Sequence, residues 1–556
     1  MKKPKSDRQS FAWTNPHFDK RRTLLLGCLS LPATSVLSML GGCGGDDASA
    51  SSIQAAAGVP PSSVRPTVPL PPYSPAVAPT VPSNPAPPAL SAPVTHEPAI
   101  TPAPRGGVPV IMNAAVFNAE FNSFEQNLPR RQVDANTPGA VSIPDPANKS
   151  ATLVYEDIRT YLKRTLDSKF ALLNRAILTA FANHKPSEFD VSFFTAPEFF
   201  WNAPWSEFVN LTEVADSADF YLSTVTDNIR KLMARFPACR YGNIVLLPGT
   251  IAVLKPSDTA KDKNGNPVYL ASNRLVCTHN LPTDDPHHPR PAYMIWPKRT
   301  VSGIDFIDGS RCTNGAPIDK NPVNPLVNNV LLSCVLSQRN GLTVSIEQVT
   351  SDLAQSFDAS GKLLSSSFKN DIVKGLPFGI DICLDYNTAN VQNNPFRMAE
   401  LDDRRFKLDF VLAAGMSLSV NNYATTPYMQ YAIHNDGIQG SNENYRYESG
   451  RTINVKNILY SNIWKLQFDR AAGKIYGDLA TPLDSTSPFD TDKGVIAVPL
   501  DDSFKAPADV DMKDVPAITE KLNPMQVRIW KLPVDVTDTG TYQADIGAMA
   551  PTACAS

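Results

Sequence analysis

The 556-residue chain has almost no net charge: 51 lysines and arginines against 54 aspartates and glutamates leave −3 at pH 7. That balance excludes the basic field with which a nucleic-acid binder gathers phosphate, so no nucleic-acid partner is expected. Histidine is scarce, with seven in all. His279, His287 and His288 lie near one another in a proline-bound loop, but their spacing matches no zinc signature, so no metal is expected. Membrane spans are missing as well. The apolar run from Thr23 to Leu40 is short for a span, and Pro32 interrupts it. What the chain has in excess is proline, fifty residues unevenly placed. Apolar content of 42% is ordinary for a globular protein, and the length fits one large domain with tails.

Residues 1–43 read as an export signal. A polar, basic start ends in Lys20-Arg21-Arg22, the apolar run follows, and Leu40-Gly41-Gly42-Cys43 closes it. Arg21-Arg22 before Thr23-Leu24-Leu25-Leu26 resembles a twin-arginine signal, which exports folded proteins. Leu-Gly-Gly-Cys resembles a bacterial lipobox, which implies lipidation of Cys43 and a membrane anchor in the cell envelope. Gly44 in place of an acidic residue favours the outer membrane. The alternative is an uncleaved anchor helix. Residues 44–107 are rich in Ala, Ser and Pro, with Pro60-Pro61, Pro71-Pro72 and Pro87-Pro88. They can bury no core and read as a disordered, extended tether. In the polyproline form, about 3.1 Å per residue, some 60 residues reach on the order of 190 Å.

The globular domain is expected over 108–500. Pro109 to Phe117 reads as a first buried strand, and Leu153 to Phe181 as a helix. Val154, Ile158, Leu162, Leu166, Phe170, Leu173, Ile177 and Phe181 recur there at steps of three or four. Strands are expected at Phe189–Phe194 and Asn243–Leu254 (kinked at Pro248-Gly249), a helix over 219–235, and hairpin arms at Asn273–Asn280 and Pro291–Trp296. Residues 305–370 read as an insertion with one strand near Val330–Leu336. Further strands follow within Pro377–Tyr386, its C-terminal end carrying Cys383, and at Leu408–Ala414, Ile453–Phe468 and Gly494–Leu500, with a helix closing over Asp402–Lys407. Residues 501–556 read as an extension wrapping the surface. Strands alternating with helices predict a layered α/β domain.

Three chemistry-bearing residues stand at ends of apolar strands. Glu198, in Ala196-Pro197-Glu198-Phe199-Phe200-Trp201, sits in aromatic company whose burial raises a carboxyl pKa and makes a general base. It reads equally as a cap on a helix starting at Pro197. Lys298 follows Pro291–Trp296, where a solvated lysine is the ordinary case. Cys383, in Gly379-Ile380-Asp381-Ile382-Cys383-Leu384-Asp385-Tyr386, is either an inert buried thiol or a nucleophile, if a base and a cation converge on it. Asp381 and Asp385 fall on the same side as Cys383 if the strand is regular. Tyr386 and Trp201 either line a pocket or pack. Cys239, Cys277, Cys312, Cys334 and Cys554 leave room for one or two disulfides in an oxidising compartment, with pairing open.

These motifs together resemble the Glu-Lys-Cys triad of the nitrilase, or carbon–nitrogen hydrolase, superfamily. Leu247-Pro248-Gly249-Thr250 resembles that family's strand before the lysine, and Lys407-Leu408-Asp409-Phe410-Val411-Leu412 its strand after the cysteine. The resemblance spans roughly 108–500. Departures are the long interval from Lys298 to Cys383, Arg299 after the lysine, and the lack of an Arg-Phe-Pro-Glu-like run after Asp385. It implies a four-layer α-β-β-α sandwich, often dimerised through helices, with no cofactor. Glu198 would be the base, Lys298 the stabiliser of thiolate and oxyanion, Cys383 the nucleophile, and the Leu384 N–H a second oxyanion donor. The expected substrate is a small amide, cleaved through a thioester, or a nitrile, through a thioimidate. Alternatives are an N-acyltransferase using the same acyl-enzyme and a non-catalytic surface protein that keeps the fold.

Overall fold

A computed structural model describes residues 109–537 apart from internal stretches, of which 320–328 and 388–405 are the longest. The export segment, the tether, residues 538–556, His287 and His288 lie outside the described residues, as does most of the helix expected over Asp402–Lys407. The described residues fall in one unit.

The opening strand β1 (Ile111–Phe121) shows how the layers arise. Met112, Ala114 and Val116 point to one core, and Ala115, Phe117, Ala119 and Phe121 to another, the period of two that a strand buried on both faces requires. β2 (Val141–Pro144) and β3 (Thr152–Tyr155) form a small antiparallel pair. The helix expected from Leu153 therefore starts later, as α1 (Ile158–Asn183). Pairing with β2 takes Leu153 and Val154, and the Asp157 carboxylate caps the helix by accepting the Thr160 N–H at 3.0 Å. β4 (Val191–Ala196) follows, then α2 (Leu211–Ala234), longer than expected because Asn210 caps it by accepting the Glu213 N–H at 2.9 Å.

A short helix α3 (Ala238–Tyr241) leads into β5 (Ile244–Pro248), β6 (Thr250–Lys261), β7 (Pro267–His279) and β8 (Tyr293–Pro297). The stretch 305–370 is not an insertion with a single strand. It supplies β9 (Thr313–Asp319), β10 (Asn329–Ser337), β11 (Leu342–Gln348), β12 (Gln355–Phe357) and β13 (Leu363–Ser366), which extend the larger sheet. Then come β14 (Phe378–Ile382), α4 (Leu384–Asn387), β15 (Leu408–Ala413) and β16 (Tyr431–Asp436). The remaining strands are β17 (Glu443–Arg446), β18 (Thr452–Val455), β19 (Ser461–Asp469), β20 (Lys474–Leu479), β21 (Val495–Ala497) and β22 (Met525–Asp535).

The main path of the larger sheet runs β13-β12-β8-β7-β5-β4-β1-β22-β21, with β1, β4 and β5 parallel. The smaller sheet runs β14-β15-β16-β19-β20, its first three strands parallel. One face of the larger sheet packs on α1 and α2 through Phe117, Phe194 and Leu246. Its other face meets the smaller sheet through Phe193, Phe378 and Phe410, with Phe193 and Phe410 4.8 Å apart between ring centres. The fold is thus mixed α/β with two sheets and few helices. Among the described residues, the outer face of the smaller sheet carries α4 and loop side chains such as Tyr423 and Met429, not long helices.

Residues 501–556 do not only wrap the surface. β22 pairs along the whole length of β1, from Ile111↔Asp535 to Phe121↔Met525. Its charged Arg528 looks like a surface residue in the sequence, but it is fully buried and donates to Glu120 at 2.8 Å.

Candidate active site

Glu198 leaves β4 on a tight turn rather than capping a helix at Pro197. The next residue, Phe199, has φ 60°, a left-handed conformation that costs a non-glycine residue about 1–3 kcal/mol. The surroundings hold it there. The Thr250 hydroxyl accepts the Phe199 N–H at 3.0 Å, and the Ala252 N–H donates to the Asn202 side chain at 2.8 Å. Gly249, at φ +81°, closes the same corner; a Cβ on it would lie 2.4 Å from the Pro197 carbonyl oxygen. Behind the turn, Lys169 of α1 is wholly buried and donates to the Asn202 carbonyl, while the Tyr221 hydroxyl donates to Trp201 O at 2.7 Å. Burial alone lowers the Lys169 pKa.

Cys383 sits at the end of β14, at a second strained corner, with φ 49°. Its N–H donates to Leu412 O at 2.9 Å and its carbonyl accepts the Tyr386 N–H at 2.9 Å, so the strand-to-helix turn is held from both sides. This turn breaks the alternation expected from the sequence: β14 ends at Ile382, Asp381 belongs to the strand, and Leu384 and Asp385 open α4. Such an outlier points to a functional position because only a well-determined surround keeps it.

Lys298 is not the solvated lysine that a strand exit ordinarily carries. Its side chain is inaccessible, and its ammonium donates to Glu198 Oε1 at 2.8 Å and to both Asp305 oxygens at 3.0 and 3.1 Å. The Asn273 side-chain amide donates to Glu198 Oε1 at 2.8 Å and to Asp305 Oδ2 at 3.3 Å. Glu198 Oε2 has no hydrogen-bond partner among the described residues, and Cys383 is close enough to this carboxyl group to act on its pKa. The ring of Phe199 covers the ammonium at 5.9 Å.

One ammonium between two buried carboxylates leaves an excess negative charge in a dry site. Burial first, and Asp305 after it, push the Glu198 pKa up to about 8, against the pull of Lys298. The Lys298 pKa is held well above its ordinary value: its two carboxylates outweigh the desolvation that would lower it. Burial and the Glu198 charge raise the Cys383 thiol, while Lys298 and the Ala414 N–H pull it down. Glu198 and Cys383 are thus electrostatically coupled, the carboxylate raising the thiol's pKa and the thiol lowering the carboxyl's, the relation a base and a thiol need if they are to exchange a proton. The loop carrying Ala414 is braced by Asp436. Its carboxylate accepts the N–H groups of Gly415 and Ile438, both at 2.7 Å, and of Met416 at 3.0 Å; burial pushes its pKa to about 7.

No family model matches the sequence, and no curated protein matches it.

The site's geometry brings Glu198, Lys298 and Cys383 near one another, with Leu384 opening the helix directly after Cys383. Asp385 serves the lysine loop: its Oδ2 accepts the Arg299 N–H at 2.9 Å, and burial pushes its pKa to about 6. Trp201 and Tyr386 are fully buried. Trp201 packs against Phe200 at 5.1 Å and Tyr386 against Tyr423 at 5.7 Å, so both are core side chains. The sequence reading missed Asn273 and Asp305. Asp305 lay within the supposed insertion; a carboxylate flanked by Ile304 and Phe306, seven residues after the lysine, was the available signal. Among the described residues no group of three or more metal-ligating side chains forms a metal site. Cys239 and Cys334 are disulfide-bonded, while Cys277 and Cys383 are free thiols.

Proposed function

We propose that the chain is a cysteine hydrolase of non-peptide carbon–nitrogen bonds, an amidase of small amides that can take nitriles by the same route. The observation that supports this reading is a buried carboxylate–ammonium pair with a buried thiol near enough to interact with both charges, the three coming from distant strand ends. A core histidine or an inert cysteine needs no such company.

Glu198 takes the thiol proton as Cys383 sulfur bonds to the amide carbon. The Lys298 ammonium and the Leu384 N–H stabilise the oxyanion, and one such donor is worth about 10²–10³ in rate. The amine leaves with the proton from Glu198. Water then gives a proton to Glu198 and attacks the thioester; acid departs and the thiol is restored. Asp305 and Asn273 fix the lysine and the base, which leaves the base a single free oxygen to act with. A nitrile would form a thioimidate, and its hydrolysis would release ammonia.

The reading extends to a nitrilase-like four-layer sandwich and to a helix-mediated homodimer. It also takes residues 1–43 as an export signal with lipid anchoring at Cys43. The test is release of amine or ammonia from a library of small amides and nitriles without added acceptor. Turnover is expected, and Cys383→Ala should abolish it with Tm within a degree or two. Turnover retained in that variant would overturn the reading; a strict need for an amine acceptor would make the enzyme a transferase instead.

A further inference from the structure

Glu198 and Cys383 stand on different sheets. Glu198 follows β4 of the larger sheet, and Cys383 follows β14 of the smaller one. Packed sheets ordinarily lie about 10 Å apart and touch through side chains. An apolar layer of that kind sets a spacing loosely, whereas proton transfer demands heavy atoms within about 2.6–3.2 Å. At the end where both residues leave their strands, polar groups join β1 directly to β16. The Asn118 side-chain amide donates to His434 O at 3.1 Å, and that of Asn435 to Ala119 O at 3.2 Å. Just beyond the two strands the seam becomes backbone to backbone, with the Ser123 N–H donating to Gly437 O at 3.1 Å. The buried hydroxyl of the same serine donates to the carbonyl oxygen of Glu198. Gly437 in turn donates its N–H to Ala413 O at 2.7 Å, next to Leu412, whose carbonyl accepts the Cys383 N–H.

On the reading of Glu198 as base and Cys383 as nucleophile, we propose that Ser123 is a positioning residue, the tie that sets how far the carboxyl group stands from the thiol. The path from base to the nucleophile's sheet is short. Ser123 donates to Glu198 O and to Gly437 O, and Gly437 donates to Ala413 O. The contact is with the Glu198 backbone, so Ser123 acts on where the side chain stands and not on the reacting atoms. The tie closes only over a glycine. A Cβ at Gly437 would lie 2.1 Å from Ser123 Oγ and 3.3 Å from Glu198 O. Both partners are braced from behind. The Gln126 side-chain amide donates to Ser123 O at 2.5 Å, and the Asp436 carboxylate holds the turn at Gly437 by accepting the Ile438 N–H at 2.7 Å. A misplacement of about 1 Å at a reacting group can cost about 100-fold in rate, so a tie at this point bears on catalysis more than on stability.

The test is a cycle of Ser123→Ala, Gly437→Ala and the double variant. Each is read in amine release, in urea unfolding and in the pH midpoint of Cys383 alkylation by iodoacetamide, mapped by peptide mass. Ser123→Ala should lower kcat about tenfold with KM within about twofold. Gly437→Ala should lower kcat about 100-fold, and adding Ser123→Ala to it should recover about tenfold, because the hydroxyl in the way of the new methyl is gone. The Glu198 charge raises the Cys383 thiol, so withdrawal of the carboxyl group in Ser123→Ala should lower the alkylation midpoint by about half a pH unit or more. Parental kcat and an unmoved midpoint in Ser123→Ala would overturn the proposal, even if stability fell. A double variant no faster than Gly437→Ala would overturn it as well. Failure of the parent to release amine from any amide or nitrile would instead overturn the hydrolase reading, and the alkylation midpoint would still decide the tie.

Discussion

Replacing Glu198 by Gln keeps the shape of the side chain and removes its charge, so it separates the carboxyl group's two effects. In the proposed mechanism Glu198 is the base for both acylation and hydrolysis, so it should be worth at least the 10²–10⁴-fold typical of a positioned proton acceptor. Amine release by Glu198→Gln should fall by about 10³ or more. In the parent protein the proposed mechanism has kcat/KM climb with pH through about 8, where the carboxyl group ionises, and the variant should lose that limb. Stability should move the other way. The folded pKa is raised above the ordinary 4.5, so between about 4.5 and 8 the folded state holds more protons than the unfolded chain. Glu198's contribution is therefore full below pH 4.5 and is lost as pH rises through 8, at up to about 1.4 kcal/mol per pH unit. Asp436 and Asp385 slope the same way, so the quantity to read is the difference between variant and parent. Urea unfolding at pH 5, 6, 7 and 8 should show Glu198→Gln gaining on the parent as pH rises. A variant within tenfold of parental turnover, or with an unchanged pH slope of stability, would refute the reasoning.

Other changes test the neighbours. Lys298→Met leaves Glu198 and Asp305 as buried carboxylates without their cation; chemical denaturation should show a loss of about 3–5 kcal/mol, with turnover gone. Gly249→Ala should drive the Pro197 carbonyl and Phe200 away from their positions, lowering Tm and cutting turnover by tenfold or more through displacement of Glu198. Arg528→Met strands buried Glu120 and should cost about 3–5 kcal/mol of stability, read by urea unfolding.

Period and composition made much of the frame legible. β1, β4 and β15 alternate or run apolar as strands buried on both faces must, and α1 carries its stripe. What stayed hidden was polar. β16 ends in His434-Asn435-Asp436, all buried, and does not read as a strand because three consecutive polar residues look like a loop in the sequence; inside, Asn435 donates to Thr195 Oγ1 at 2.8 Å. β22 combines Arg528, Lys531 and Pro533, which read as surface, yet it lies between β1 and β21. At the site, Cys383 and Glu198 stood out by local context. Lys298 could be weighed only once Asp305 and Asn273 were beside it, and that meeting is a product of the fold.

Incubation of the protein with a small-amide and nitrile library, followed by acid quench and peptide mapping, looks for the acyl or imidoyl group directly. The account predicts a mass increase on the peptide holding Cys383, lost on hydroxylamine treatment and absent from Glu198→Gln and Cys383→Ala. A label on Cys277 in place of Cys383, or turnover with no label on any cysteine after quench, would contradict it.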